Sequence, residues 1–239
     1  MALMDGLNAL RQKLKWLDPF TYVDILLEKT NPFPAASLSR TAFDWTAYLF
    51  FGLLFAWIIY TALGLLLGTS SPLVIVLSPS MEPAMYRGDL IVLQGVPAEG
   101  LKAEEVALSY GSLKQKSLVS FAEINYSGAQ PESISFTDAD GARKEVSLST
   151  EGDVIVYNSN VIENFPVIHR VIAKIKALDG YYFLTKGDNT KTNNVIDQDC
   201  VRARCIHTHP VNEKEIQGKV IFRLPLAGCL KLIPFEGKC

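Results

Sequence analysis

The sequence predicts a mainly β domain preceded by an N-terminal amphipathic helix and one transmembrane helix. The segment 45–68 contains no charged residue, and the chain after residue 70 consists of short β-branched runs separated by Gly, Pro, Asn or Asp. The composition agrees, because 49% of the 239 residues are hydrophobic and only 20% are charged. The net charge of −2 shows no excess of basic residues, so we expect no nucleic-acid partner.

The first 29 residues predict an amphipathic helix. Leucines recur at spacings of three and four on one helical face, and the basic residues lie on the other sides. The leucines are Leu3, Leu7, Leu10, Leu14 and Leu17. Such a helix either packs on an apolar surface of the protein or lies on a membrane. We assign residues 1–44 to a cytoplasmic or membrane-surface segment.

The uncharged segment 45–68 predicts the transmembrane helix. About 23 residues at a rise of about 1.5 Å each span roughly 34 Å, which matches a bilayer core. The segment is too long, and begins too far from the N-terminus, for a cleavable signal peptide. Lys29 and Arg40 precede it, and the next basic residue is Arg87. The positive-inside rule therefore predicts a single-pass protein whose N-terminus is cytoplasmic and whose residues 71–239 lie outside the cytoplasm.

The remainder of the chain predicts strands and no helix. Six β-branched runs are bounded by turn residues, and weaker ones lie between residues 118 and 148. The six runs are 73–77, 89–93, 153–157, 166–175, 181–187 and 219–224.

Two segments carry the residue types of nucleophilic catalysis. Ser78-Pro79-Ser80-Met81-Glu82-Pro83 follows the first strand, in a turn that can expose one hydroxyl. His169 lies within an apolar strand, and a serine hydroxyl needs such a base to accept its proton. Taken separately, the serine segment could be an ordinary surface turn, and a lone buried histidine is more often structural than catalytic.

An acidic side chain would orient the imidazole and stabilise its protonated form. Three candidates follow the histidine: Asp188 in Thr-Lys-Gly-Asp-Asn, then Asp197 and Asp199. Their residue types do not choose between them.

The ordered motifs Ser-x-Ser-Met-x-Pro, Arg-Gly-Asp, His-Arg-Val and Thr-Lys-Gly-Asp-Asn behind a membrane helix resemble those of type I signal peptidases. The resemblance covers roughly residues 50–225. Bacterial members have a lysine as base, whereas His169 matches the archaeal and endoplasmic-reticulum branch, which has a Ser-His-Asp triad.

The resemblance implies a role for each matching residue. Ser80 matches the nucleophile and His169 the general base. Asp197 is our choice for the third member, with Asp188 supporting the site, although Asp199 remains an alternative. The Ser80 N–H and the Ser78 hydroxyl would form the oxyanion hole. In this sequence Pro79 occupies a position where many members have glycine.

The implied protein is a serine endopeptidase without a cofactor. It would remove signal peptides from secretory precursors at the outer face of the cell membrane, or in the endoplasmic-reticulum membrane of a eukaryote. Its partners would be signal peptides, the lipid bilayer and, as a candidate, the protein translocation machinery. Residues 99–150 exceed what a minimal member needs, and this β-rich insertion is either a substrate-facing lid or a surface elaboration.

Two other functions fit parts of the sequence. A self-cleaving repressor-type peptidase has a related β fold, but it needs a lysine base and is soluble. A non-catalytic membrane-tethered β-domain in secretion or surface assembly would need neither Ser80 nor His169 as a catalyst.

The cysteines pose a separate question, because Cys200, Cys205, His207 and His209 form a C-x4-C-x-H-x-H pattern. These four side chains are weak candidates for a zinc site. A Cys200–Cys205 disulfide in an oxidising compartment and free thiols are the alternatives, and the disulfide is preferred over zinc.

Overall fold

A computed structural model describes residues 15, 18–34, 37–162, 165–237 and 239. The leucines Leu3 to Leu14 and Leu17 of the proposed amphipathic helix lie outside these residues. The described chain forms two compact units, 1–62 and 63–239.

Two helices occupy the N-terminal part. Helix α1 is Pro19–Thr30, and Asp18 caps it by accepting a hydrogen bond from the backbone N–H of Phe20 at 3.0 Å. Helix α2 is Leu38–Leu67, with 30 residues and a mean hydropathy of 2.2 over its most apolar window. It begins before the predicted segment 45–68 and ends one residue earlier. Among the described residues it is the one helix long and apolar enough to cross a membrane, as the sequence predicts.

The main sheet of the second unit has eight strands among the described residues. Seven are hydrogen-bonded in the order β1-β2-β11-β7-β8-β9-β10, and β3 pairs in parallel with β8. The strands are β1 Leu73–Ile75, β2 Leu90–Gln94, β3 Glu105–Ala107, β7 Val154–Asn158, β8 Pro166–Ala177, β9 Gly180–Lys186, β10 Val211–Asn212 and β11 Ile216–Leu224. The six sequence-predicted runs all contribute to this sheet, so the mainly β prediction is confirmed.

A second sheet lies within residues 99–150. It consists of β4 Ala122–Ser127, β5 Gln130–Thr137 and β6 Arg143–Ser147, in that order and antiparallel. Its residues Ile134 and Phe136 are fully buried in one apolar cluster with Ile175 and Leu184 of β8 and β9. The small sheet is therefore packed onto the main sheet.

One expectation about the fold is wrong, because a helix does occur after residue 70. Helix α3 is Cys229–Glu236, and it ends at Gly237, whose positive φ of 71° is the left-handed conformation that commonly terminates a helix. A disulfide joins Cys229 to Cys239 across this helix. The helix was not predicted from the sequence because it is short, contains Pro234 and lies within an apolar tail.

Candidate active site

Ser80 lies in a one-turn 3-10 helix, Pro79–Met81, that follows strand β1. Pro79 is the first residue of this turn, where its missing N–H and fixed φ are compatible with a helix start. Met81 is fully buried and fixes the turn to the domain core. The Ser80 hydroxyl is hydrogen-bonded to the Ser78 hydroxyl at 3.1 Å. The local sequence thus presents two serine hydroxyls from a rigid turn.

His169 lies on strand β8, which is hydrogen-bonded to β7 on one side and β9 on the other. Its side chain is 3% exposed, and its Nδ1 lies 2.6 Å from Asp197 Oδ2. Because the carboxylate accepts, the Nδ1 proton is directed to Asp197 and the lone pair of Nε2 is left to accept a proton.

Ser78, Ser80 and His169 line the same cavity. The remaining walls are mostly apolar and come mainly from residues 74–77, from Ile162 and from residues 165–168. The structure therefore places on one cavity two side chains that lie far apart in the sequence. Among the described residues the Ser80 hydroxyl is hydrogen-bonded to Ser78, with no hydrogen bond to the imidazole. Catalytic hydrogen bonds often tighten only when a substrate binds.

Asp197 is buried, and three donors meet at its Oδ2 atom. They are His169 Nδ1, the Tyr157 hydroxyl at 2.9 Å and the Thr185 hydroxyl at 2.7 Å. Its other oxygen, Oδ1, is buried without a hydrogen-bond partner among the described residues. Burial, together with the negative charge of Asp197, raises the pKa of Tyr157 well above its ordinary value. The tyrosine therefore keeps the proton that it donates.

Asp188 makes a different contact. Its two oxygens accept from Arg170 Nε at 2.8 Å and Nη2 at 2.6 Å. These hydrogen bonds raise the pKa of Arg170. Asp199 accepts from the Tyr126 hydroxyl at 2.7 Å and from two backbone N–H groups. Of the three acidic candidates in the described chain, Asp197 contacts the imidazole.

The Gly187-Asp188-Asn189 turn also holds the serine turn. Asn189 donates from its backbone N–H to the Ser80 carbonyl and from its side chain to the Pro79 carbonyl, both at 2.9 Å. A Cβ on Gly187 would lie 2.6 Å from the Ser80 carbonyl oxygen, so only glycine fits there. Sequence reasoning missed this role of Asn189, although the motif that contains it was recognised.

Tyr157 and Thr185 were also missed. Both lie in strands that were correctly predicted, but their link to Asp197 depends on which strands are neighbours. A polar residue at a buried strand position is a weak signal, because most such residues are satisfied without any catalytic role.

The cysteine question has a structural answer, because Cys200 and Cys205 form a disulfide. Disulfide sulfurs are not the thiolates that zinc binds. Of the three alternatives left by the sequence, the structure contains the disulfide.

Two histidines near this disulfide lie close to Glu215. One ligand atom each from His207, His209 and Glu215 lies within 4.8 Å of the others. However, His207 Nδ1 accepts the Asn160 backbone N–H at 3.3 Å, so a neutral His207 carries its proton on Nε2. That nitrogen is buried without a hydrogen-bond partner among the described residues, and Glu215 Oε2 lies 3.6 Å from it.

Ser80 and His169 line one largely apolar cavity, and His169 is paired with the buried Asp197. Serine hydrolases use these three residue types for catalysis. No protein-family model matches the sequence. Among curated proteins, the chain is similar to signal peptidase complex catalytic subunits SEC11. The Chaetomium globosum subunit is 26% identical over 78% of both chains. The Clavispora lusitaniae subunit is 27% identical over 80% of both chains, and the Yarrowia lipolytica subunit is 27% identical over 77% of this chain and 74% of its own.

These similarities confirm the relationship indicated by the motifs. The chain is similar to type I signal peptidases of the endoplasmic-reticulum branch, and the relatives that it matches are catalytic subunits.

Proposed function

We propose that Ser80, His169 and Asp197 are the catalytic triad of a membrane-bound endopeptidase that removes N-terminal signal peptides from secretory precursors. The observation that carries the proposal is geometric. Ser80 and His169 line one cavity, and Asp197 Oδ2 lies 2.6 Å from His169 Nδ1. This order of groups is what a hydroxyl nucleophile needs for activation.

In the proposed reaction, Ser80 Oγ attacks the scissile carbonyl while His169 Nε2 accepts its proton. Asp197 stabilises the imidazolium that forms. The imidazolium then gives its proton to the leaving amine, and water hydrolyses the acyl-enzyme by the same route. The Ser80 N–H and the Ser78 hydroxyl would stabilise the oxyanion. Ser78 lies 3.1 Å from Ser80 between the hydroxyl oxygens, which is compatible with that task.

Asp188 has a supporting role in this proposal. It fixes Arg170, the neighbour of the base, and belongs to the turn whose Asn189 holds the Ser80 backbone. The apolar cavity walls would accept the small residues that precede the cleavage site. A precursor would lie extended along a strand edge beside the cavity, with main-chain hydrogen bonds supplying affinity.

For topology, we propose a single-pass arrangement with residues 71–239 outside the cytoplasm, in the cell membrane or the endoplasmic-reticulum membrane. The basic residues before α2 support this orientation. The disulfides Cys200–Cys205 and Cys229–Cys239 also support it, because disulfides persist in oxidising compartments. The lipid bilayer and the translocation machinery are the proposed partners besides the precursor.

Replacing the nucleophile tests the function. The full chain, reconstituted in lipid vesicles, is incubated with a secretory precursor, and the new N-terminus is identified by mass spectrometry. Ser80→Ala should lower the cleavage rate by at least about 10⁴-fold. The matched control is Ser70→Ala, an exposed serine outside the cavity lining, and it should cleave at the wild-type rate.

Two results would contradict the proposal. Wild-type cleavage by Ser80→Ala would remove Ser80 from the mechanism. A wild-type protein that inserts and folds but cleaves no precursor would indicate a non-catalytic, membrane-tethered β-domain.

A further inference from the structure

The insertion 99–150 contacts the loop that carries Asp197. This loop runs from residue 187 to residue 210, between β9 and β10. The Tyr126 hydroxyl, from strand β4, donates to Asp199 Oδ2 at 2.7 Å. The guanidinium of Arg202 in the same loop lies over the Tyr126 ring, 3.6 Å from its centroid.

Two further contacts join the insertion to the same loop. The side chain of Gln130, at the start of β5, donates to the Thr190 carbonyl at 3.4 Å. Ile196, immediately before Asp197, is fully buried in the apolar cluster that contains Phe121 and Ile134 of the insertion. The contacts are therefore spread along the loop on both sides of Asp197.

Asp199 connects Tyr126 to the backbone of the loop. Its side chain is buried, and its Oδ1 accepts from the backbone N–H groups of Val201 and Arg202, which fixes the turn that follows Asp197. On the other side of this turn, the N–H groups of Ile206 and His207 donate to the Asp197 carbonyl. A shift of Asp199 would therefore move the residue whose side chain holds His169.

We propose that the insertion is a brace for the catalytic aspartate, and that Tyr126 is a positioning residue that acts through Asp199 on Asp197. This inference rests on the proposed function and assigns a role to the segment that the sequence left as a lid or a surface elaboration. Tyr126 touches neither His169 nor the cavity, so it acts by position alone.

The chemistry of Tyr126 suits this role. Burial, followed by the hydrogen bond to Asp199, raises the pKa of the Tyr126 hydroxyl above its ordinary value of 10.0. The hydroxyl therefore remains the donor in its hydrogen bond to Asp199, which accepts three hydrogen bonds in all.

Tyr126→Phe tests the brace. It removes one hydroxyl and keeps the ring beneath Arg202. We expect kcat to fall by about tenfold with KM unchanged, below the roughly hundredfold loss that a misplacement of about 1 Å can cause. The matched control is Tyr110→Phe, which removes a hydroxyl that donates at 2.9 Å to the Thr137 carbonyl inside the insertion. This variant should keep the wild-type kcat.

A second readout does not depend on activity. Hydrogen exchange, followed by mass spectrometry, should show faster exchange of residues 196–207 in Tyr126→Phe than in Tyr110→Phe or the wild type. Asp199→Ala removes the acceptor of the Tyr126 hydroxyl and should lower kcat at least as much, and adding Tyr126→Phe to it should cause no further loss, because the contact is then already broken.

The outcomes separate the two proposals. Equal kcat and equal exchange of residues 196–207 in Tyr126→Phe and Tyr110→Phe would overturn the brace, even in an active enzyme. Faster exchange in Tyr126→Phe, in a chain that cleaves no precursor, would contradict the proposed function and leave the mechanical link between Tyr126 and this loop intact.

Discussion

Replacing Asp197 by asparagine removes a charge while preserving most of the local geometry. Three donors meet at Oδ2, whereas Oδ1 has no hydrogen-bond partner among the described residues. An asparagine can place its carbonyl oxygen at the Oδ2 position and its NH₂ group at the Oδ1 position. His169 then keeps an acceptor for its Nδ1 proton, so its tautomer is retained.

The expected decrease in kcat of Asp197→Asn follows from the distance between the imidazolium and carboxylate charges. Nδ1 and Oδ2 are 2.6 Å apart, and the centres of the imidazolium and carboxylate charges are about 4 Å apart. At an effective dielectric constant of about 20, this separation gives roughly 4 kcal/mol of attraction. Because the imidazolium forms as His169 accepts the serine proton, the loss should appear in kcat, as about a 10³-fold decrease.

The stability effect of the same change should be smaller. The new NH₂ group would lie at a buried position without a partner, which costs about 1–3 kcal/mol. Asp197→Ala removes the acceptor as well and leaves His169, Tyr157 and Thr185 with unsatisfied donors. We therefore expect Asp197→Ala to be less active and less stable than Asp197→Asn.

The assay is single-turnover cleavage of a secretory precursor in vesicles, with the midpoint of thermal unfolding measured in parallel. Asp179→Asn is the matched control, because Asp179 is exposed at the β8–β9 turn. A kcat for Asp197→Asn within threefold of the wild type would refute the electrostatic reasoning. Equal losses for Asp197→Asn and Asp197→Ala would show that charge, rather than orientation, is the contribution of this residue.

Two other predictions concern the serine turn and the acid stability of the domain. Gly187→Ala should lower the kcat of precursor cleavage at least tenfold, because its Cβ would lie 2.6 Å from the Ser80 carbonyl oxygen. Gly111→Ala is the matched control and should keep the wild-type kcat, because no atom lies within 4 Å of its added Cβ. The hydrogen bond from Lys144 holds the pKa of Asp138 at about 2, against an ordinary 3.8. This stabilisation is present above pH 3.8 and is lost as the pH falls through about 2. In urea unfolding, the free energy of unfolding should therefore decrease less on acidification in Asp138→Asn than in the wild type. Equal decreases in the two proteins would contradict the stabilising role of the ionised Asp138.

The helix of spanning length and the strands of the main sheet could be predicted because their signals are local. An uncharged apolar segment or a β-branched run between turn residues is visible within one window of sequence. Helix α3 gave no such signal, since Pro234 interrupts its eight residues and Gly237 marks its end only once the backbone is known. The small sheet β4–β6 gave weaker local signals, and its packing against Ile175 depends on tertiary contacts.

In the candidate site, too, the residues with a local sequence signal could be predicted, and the contacts between distant segments could not. Ser80, His169 and the choice of Asp197 came from the ordered motifs and the resemblance, whereas the residue types alone left three acidic candidates and the contact of Asp197 with His169 needed the fold. The contact of Asp197 with His169 follows from a loop that returns to β9, where the Asp197 N–H donates to the Thr185 carbonyl at 2.9 Å. A hydrogen bond of this kind, between a loop and a strand edge, has no pattern in the sequence.

The position of Asp197 in a loop explains why the site needs support from several directions. A buried carboxylate is costly unless donors satisfy it, and the donors must be held within tenths of an ångström to remain effective. Loop 187–210 has little strand pairing of its own, so its geometry depends on attachments at both ends and in the middle. The β9 edge, the Cys200–Cys205 disulfide and the Tyr126–Asp199 contact supply them. If the brace acts as proposed, a shorter relative without the insertion needs another attachment for the same aspartate.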